Sequence, residues 1–251
     1  MKVTKSGELD QVKQTEPSAA KVSVALAAYN GERYLLSQLT SILSQLGEAD
    51  EVVVVDDAST DSTAQLVEGL KDARIRLLRN SSNQGVFKSF ERAMRSTSGE
   101  LVFLSDQDDV WHPDKVRTVT AAFTDPSVSL VLSDATVIDA EGRVLDSSFY
   151  RSTGTFEPGL FRTLIRNRYL GCTMAIRRGM MQRVLPFPDK MPMHDMWIGI
   201  VNRLHGKVVY LDQPLMSYRR HGSNVSRSGS VLQRLKWRIN LAQNLFQALL
   251  R

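Results

Sequence analysis

A single cysteine, Cys172, stands in 251 residues. No internal disulfide can form, which excludes a disulfide-stapled secreted scaffold and fits a reducing compartment. A chain this long buries about 70–75% of its unfolded surface, so its core needs no disulfide or structural metal. Cys172 itself reads as a small buried apolar residue. No apolar run approaches the roughly 18–20 residues of a membrane span. Residues 1–20, MKVTKSGELDQVKQTEPSAA, lack the apolar core of a signal peptide and read as a polar, mobile tail. Internal repeats and low-complexity stretches are also missing. The composition that remains, 42% hydrophobic and 24% charged, is ordinary for a globular protein. Lys and Arg outnumber Asp and Glu by 32 to 27, a basic balance that suits anionic partners without choosing among them. No nucleic-acid motif accompanies it, so no nucleic-acid partner is expected.

The first half alternates two kinds of segment. Val22–Ala28, Glu51–Val55, Arg74–Leu78 and Leu101–Leu104 are short, β-branched apolar runs of buried-strand type. Between them lie amphipathic stretches from Glu32 to Gln45, over 62–71 and over 86–97, with Leu35, Leu36, Leu39, Ile42, Leu43 and Leu46 at helical spacing in the first. Pro113 opens another helix over 113–123, and Asp61 or Ser59 is placed to cap the second. This β-α alternation predicts a parallel sheet with helices on both faces. The second half is less regular. Strands are expected over Ser129–Asp139, at Val144, over Cys172–Arg177, and as two short pieces at Lys207–Tyr210 and Leu215–Arg219. Helices are expected over Leu160–Arg166, 179–184 and Asp195–Leu204. The core domain is predicted to run from 21 to 225. Residues 226–251 then form a linker and a helix, VLQRLKWRINLAQNLFQALLR, whose only charges are basic. Such a helix packs on protein or lies on an anionic membrane.

Ligands of open parallel sheets bind beyond the carboxyl ends of the strands. Three polar clusters fall there: Tyr29-Asn30-Gly31-Glu32, Asp56-Asp57 and Asp106-Gln107-Asp108-Asp109. Carboxylates one residue apart at a strand end crowd negative charge, which a hard divalent cation with oxygen ligands would relieve. Magnesium commonly bridges such carboxylates to phosphate oxygens, so the local chemistry suggests a metal-bound diphosphate. A solvated acidic turn is the plainer reading of the same residues.

The order of these pieces resembles the family-2 glycosyltransferases, which have the GT-A fold. The resemblance rests on VSVALAAYNGERYLLSQLTSI, VVVVDDASTDST, NQGVFKSFERAMRSTSGELVFLSDQDDVWHPDKV, NRYLGCTMAIRR, MHDMW and YRRHGSNVS, over about residues 22–225. It implies an α/β fold with a Rossmann-like central mixed sheet flanked by helices. It implies transfer of a sugar, with inversion, from a nucleoside diphosphate donor to an acceptor hydroxyl. Ala28, Tyr29 and Glu32 match the segment edging the nucleotide. Asp57 matches a base or ribose contact, with Asp56 beside it holding the loop. Asn83, Gly85 and Lys88 border the base or diphosphate. Asp106 and Asp108 match the acid-x-acid motif for Mg²⁺ or Mn²⁺, Asp109 a contact to the donor sugar or a residue that orients the loop, and His221 a late metal or diphosphate ligand. Arg219 and Arg220 would add positive charge beside the leaving group, and Trp111 would pack beneath the acidic loop. Asp195 matches the catalytic base, with His194 beside it to orient it or touch the acceptor. Gly171-Cys172-Thr173 resembles the segment beside the acceptor pocket.

The later segments are most similar to a rhamnosyltransferase-like bacterial branch. That points to a dTDP-linked rhamnose donor, with a UDP-linked donor as the other choice. The expected acceptor is a surface polysaccharide or lipid-linked glycan. The expected place is the cytoplasm at the inner face of the membrane, with peripheral contact through 231–251. Two other readings stand beside this one. A sugar nucleotidyltransferase would carry a Gly-rich basic loop where this chain has Ala27-Ala28-Tyr29-Asn30-Gly31-Glu32. A non-catalytic protein that binds nucleotide-sugar or tethers a complex would keep the fold without the chemistry.

Overall fold

The computed structural model describes residues 21–154, 167–189 and 193–222, with isolated positions 240, 243, 244 and 249. The expected N-terminal tail, the helix over Leu160–Arg166 and nearly all of the segment 226–251 lie outside the described residues.

Nine strands form one sheet: β1 (Val22–Ala28), β2 (Glu51–Asp56), β3 (Ile75–Arg79), β4 (Leu101–Ser105), β5 (Val110–Trp111), β6 (Val128–Ile138), β7 (Val144–Asp146), β8 (Met174–Arg177) and β9 (Lys207–Arg219). Their order is β3-β2-β1-β4-β8-β6-β9-β5, with β7 paired to β6. The first four strands are parallel, as the alternation predicts. The direction then changes. β8 runs antiparallel to both β4 and β6, which makes the sheet mixed.

The continuous apolar runs of β1, β2 and β4 arise because both faces of the sheet are covered. Alternate residues serve opposite layers. Val24, Leu26, Val52, Val54, Leu101 and Phe103 pack with α1 (Leu35–Leu43), α2 (Thr63–Gly69) and α4 (Lys115–Ala121). Ala25, Val55, Val102 and Leu104 pack with α3 (Val86–Ser96), α6 (Met181–Val184) and α7 (His194–His205). The remaining helix, α5 (Phe149–Thr153), is capped by the Ser148 side chain accepting from the Arg151 N–H. Leu36, expected on the buried stripe of α1, is instead 46% exposed.

The two short strands expected near the end of the domain are one. Residue 133 pairs with Leu211 and residue 134 with Pro214, so Asp212 and Gln213 bulge out of register while β9 continues along β6. The polar stretch Asp212-Gln213-Pro214 reads as a break in sequence, but in the sheet it is an irregularity within one strand. Cys172, expected to open β8, lies in a 3₁₀ turn just before it, Gly171–Thr173. The edge strand β5, antiparallel to β9, was not foreseen, because two residues carry no periodicity.

Helix α7 runs past the buried Tyr169 ring. A Cβ on Gly199 would lie 2.4 Å from Tyr169 Cε2 and Cζ. Alanine favours a helix over glycine by about 1 kcal/mol, but overpacking a closed core costs about 1–3 kcal/mol. Gly199→Ala is therefore expected to lower the melting temperature by several degrees, since about 1 kcal/mol moves it by roughly 2–4 °C in a chain of this size. Calorimetry checks this; an unchanged or raised melting temperature would show that Tyr169 has room to yield.

Candidate active site

The ends of β1, β2 and β4 place the three polar clusters along one rim. At the first, the Gln107 side chain clamps the Tyr29 peptide. The Tyr29 N–H donates to Gln107 Oε1 at 2.7 Å, and Gln107 Nε2 donates to the Tyr29 carbonyl at 3.1 Å. The Tyr29 ring is left 45% exposed at the rim. Glu32 is exposed and its carboxylate accepts from the Ser62 N–H at 3.0 Å, which ties the first rim loop to the start of α2. Ala28 accepts the Asp57 N–H at 2.8 Å.

Asp57 is buried, and its carboxylate accepts from Asn80 Nδ2 at 2.6 Å and from the N–H groups of Gln84 and Gly85, both at 2.8 Å. An anion at the unpaired N–H groups of a helix start is favourable, and this one fixes the entry to α3. The loop-holding work expected of Asp56 therefore falls to Asp57. Among the described residues the Asp56 carboxylate accepts a longer bond, from the Ser59 N–H at 3.3 Å. Gly85 adopts φ +84° with open space beside it, and Lys88 is exposed on the first turn of α3.

The acidic loop after β4 is the electrostatic centre. Burial pushes the carboxyl of Asp106 well above the usual range, and the charges of Asp109, Asp108 and Asp195 add to that. Asp109 is fully buried and also raised, first by burial and then by Asp108. Its Oδ1 accepts the Arg219 N–H at 2.9 Å. Asp108 Oδ2 lies 2.7 Å from His221 Nε2, so the loop after β4 and the end of β9 meet at this pair. The three expected metal ligands are split into neighbouring groups. Asp108 faces His221, while Asp106 clusters with Asp109 and Cys172, their ligand atoms within 4.8 Å of one another.

Asp195 sits in the first turn of α7 and is buried. Its Oδ1 accepts from the Met196 N–H at 2.6 Å and from Asn167 Nδ2 at 3.1 Å. Those bonds and the helix start favour the carboxylate, yet burial outweighs them and lifts its pKa to about 7. Such a group is matched to proton transfer near neutrality. The change of sheet direction at β8 brings α7 back so that Asp195 reaches the field of Asp106.

Other expected residues take different places. His194 sits in an aromatic box, stacked on Phe90 at 4.5 Å between ring centroids with Phe87 and Phe187 around it. Burial drops its pKa to about 4, so the imidazole is neutral near pH 7. Arg219 is buried and acts as a strap. Its Nε donates to the Asp108 carbonyl at 2.8 Å and its Nη1 to the carbonyls of Asp139 and Ala140. Arg220 is exposed, its guanidinium 6.0 Å from the Phe149 ring. Trp111 packs on Phe103 beneath the acidic loop, as expected. Gly171-Cys172-Thr173 is a buried turn packed against His194 and Asp195.

Sequence reasoning missed Lys115. It is fully buried, its Nζ donating to the Cys172 carbonyl at 2.8 Å and lying 4.3 Å from the Trp111 ring centroid. Burial lowers its pKa to about 8, opposed by Asp109 and Asp106. The signal was a lysine in line with Val119 and Phe123, at the i and i+4 spacing of the apolar stripe. Asn167 and Gln107 carried no signal of their own.

The family model for glycosyl transferase family 2 matches residues 23–187. The chain belongs to that family. It is 29% identical over 213 residues to an uncharacterized glycosyltransferase of Nostoc sp., covering 81% of this chain and 66% of that one. It is 24% identical to WfgD of Escherichia coli, named a UDP-Glc:α-D-GlcNAc-diphosphoundecaprenol β-1,3-glucosyltransferase, over 82% of this chain and 79% of that one. Among solved structures, Staphylococcus aureus TarS 1–349 with UDP-GlcNAc superposes with a TM-score of 0.68 at 23% identity, over 84% of this chain and 62% of that one. PcManGT of Pyrobaculum calidifontis, with GDP-Man and Mn²⁺, superposes at 0.59 and 22% identity, over 91% and 63%. The chain thus spans just under two thirds of the Nostoc and TarS chains. The fold is GT-A and the family is one of glycosyltransferases.

The buried imidazole yields a pH prediction. Its folded pKa of about 4 lies below the ordinary 6.5. The unfolded chain therefore takes up the proton first as pH falls. His194 contributes full stability above about pH 6.5, and that contribution is lost between 6.5 and 4, with an order of magnitude of about 3 kcal/mol. The buried carboxylates of Asp195 and Asp109 slope the opposite way, so the comparison is with His194→Phe. The variant is expected to gain stability relative to the parent as pH drops from 7 to 5. A pH-independent difference would place the imidazole in contact with solvent.

Proposed function

We propose that this chain transfers a sugar from a nucleoside diphosphate donor to an acceptor hydroxyl during synthesis of a bacterial cell-surface glycan, inverting the anomeric carbon. The observation that carries the reading is the convergence of Asp195, from the start of α7, on the acidic loop after β4, so that its charge is felt at Asp106. A base held at a pKa of about 7 beside a rim of carboxylates is the arrangement that direct displacement from a diphosphate requires.

The donor lies across the rim from Ala28, Tyr29 and Glu32 to Gly85 and Lys88, with Asp57 fixing the loop that borders it. Tyr29 offers an exposed ring face to the base, and Lys88 an exposed cation to the diphosphate. A divalent ion, Mg²⁺ or Mn²⁺, fits the donors: hard carboxylate oxygens of Asp108 and Asp106 with the His221 imidazole. When bound, it supplies Lewis-acid stabilisation of charge on the departing diphosphate. Asp109, fully buried, steadies the loop through the Arg219 N–H, the role of orienting the loop rather than of touching the donor sugar. Asn167 and the Met196 N–H hold the Asp195 carboxylate, whose oxygen takes the proton from the acceptor hydroxyl as that oxygen attacks the anomeric carbon.

A uridine donor is supported by relatives named for UDP-Glc and by the UDP-GlcNAc complex of TarS. A dTDP-rhamnose donor rests on the resemblance alone. Relatives named for diphosphoundecaprenol acceptors and for teichuronic acid synthesis support a lipid-linked or surface-polysaccharide acceptor. No helix among the described residues is long and apolar enough to cross a membrane. We place the reaction at the inner membrane face, with the basic segment 231–251 as the contact.

Asp195→Asn should lower turnover by about 10²–10⁴-fold while leaving donor affinity unchanged. Turnover of the parent should rise with pH through a midpoint near 7, and the residual rate of the variant should lack that limb. Equal loss of donor binding and turnover would refute the base assignment. Asp108→Ala should abolish the metal dependence of donor binding, read by calorimetry with UDP- and dTDP-sugars. An unchanged metal titration would remove Asp108 from the ligand set.

A further inference from the structure

A second charged feature lies at the opposite end of the sheet. A groove of about 570 Å³ runs between the turn before β6, the end of β8 and the junction of α7 with β9, lined by Ser127, Arg177, Arg203, His205 and Lys207 among others. Arg177 pairs with Leu101, the first residue of β4, and Lys207 with Val128, the first residue of β6. The acidic loop follows the other end of β4. Eight residues of α7, about 12 Å of helix, separate Asp195 from Arg203.

The groove carries surplus positive charge. Its nearest acid, Asp125, is occupied: Oδ1 accepts from the Ser127 N–H and Oγ, and Oδ2 from Lys207 Nζ at 2.9 Å. Arg177 is partly buried and held only by neutral carbonyls. Its Nε donates to Val128 O at 3.0 Å, and its Nη2 to Phe123 O at 2.7 Å and Asp125 O at 3.3 Å. Its Nη1 has no partner among the described residues, and no acid pairs with it. The carbonyls and the Phe123 ring, 5.3 Å from Cζ, fix the guanidinium without cancelling its charge. Arg203 is exposed and has no ion pair among the described residues. His205 adds an imidazole whose Nδ1 lies 3.4 Å from Arg183 Nη1. A fixed guanidinium and an exposed one lining a single groove can take a phosphate by charge-assisted, bidentate hydrogen bonds.

We propose that this groove is an anion site for a phosphate-bearing ligand, separate from the donor site. Arg177 and Arg203 supply the guanidinium contacts, with Lys207 at the rim paired to Asp125. The site needs no divalent ion, because its own side chains carry the positive charge. Its independence of Asp108 sets it apart from any diphosphate held at the acidic loop.

The test is calorimetric titration of inorganic pyrophosphate into the full chain with chelator present, beside sedimentation with phosphatidylcholine vesicles, with and without phosphatidylglycerol. The parent should bind pyrophosphate in chelator, and Asp108→Ala should bind it equally well. Arg203→Glu should weaken binding by about tenfold or more, while metal-dependent donor turnover stays at the parent level. Arg203→Gln should fall between the two. Since Arg203 is exposed, an unchanged melting temperature certifies the fold. Sedimentation with the anionic vesicles that Arg203→Glu abolishes would assign the phosphate to a lipid headgroup. Pyrophosphate binding without sedimentation would assign it to a soluble ligand. No binding in chelator by either probe, or binding that Arg203→Glu leaves unmoved, overturns the proposal.

Discussion

The structure depends on a concentration of negative charge that the fold itself holds in place. Asp106, Asp108, Asp109 and Asp195 meet at one rim of the sheet, and burial together with mutual repulsion drives Asp106 and Asp109 toward their neutral forms. Buried like charges are unfavourable unless cations and hydrogen bonds answer them. The answers come from elements far apart in sequence. Lys115 lies buried under the loop, the Arg219 backbone and guanidinium bond to Asp109 and Asp108, and His221 closes on Asp108. β4, α4 and the end of β9 are thereby fastened to one another around the acids. The cost of that arrangement is what a divalent cation would relieve, and the cation in turn would offer charge to a donor diphosphate.

The mixed sheet makes the second half of the site. Parallel strands β1, β2 and β4 deliver the nucleotide rim. β8, antiparallel to β4 and β6, reverses the chain ahead of α7, so a helix start can face the loop after β4. Asp195 shows how the competing terms resolve. Two hydrogen bonds and the helix start favour its charged form, burial opposes them, and burial wins. His194, one residue earlier on the same helix, packs among aromatic rings and is kept neutral by the same desolvation. Neighbours in sequence thus differ in role because a helix turns about 100° per residue.

Much of this was legible in the sequence where local pattern and final burial agree. The valines of β2 and the run Leu101–Leu104 announce strands covered on both faces, and turn chemistry directly after them marks the rim. The acid-x-acid spacing, Asp195 and His221 were readable through the family resemblance. What was not legible depends on contacts between distant segments. Asp57 rather than Asp56 holds the loop because Asn80, Gln84 and Gly85 happen to close over it. β9 reads as two strands because its bulge is visible only against β6. The aromatic box around His194 draws on α3 and Phe187, and Lys115 looks like an ordinary solvated lysine until the turn at Cys172 is packed over it.

The central claim is that the acidic rim is a cation-dependent donor site in which Asp108 and His221 act together. Anomalous diffraction from crystals soaked with Mn²⁺ and UDP tests it most directly. The account predicts one strong peak shared by the Asp108 carboxylate and the His221 imidazole, with the diphosphate against it and the direct contact between the two side chains replaced. An Asp108–His221 contact that persists with no peak beside it, while UDP occupies the rim, would contradict it.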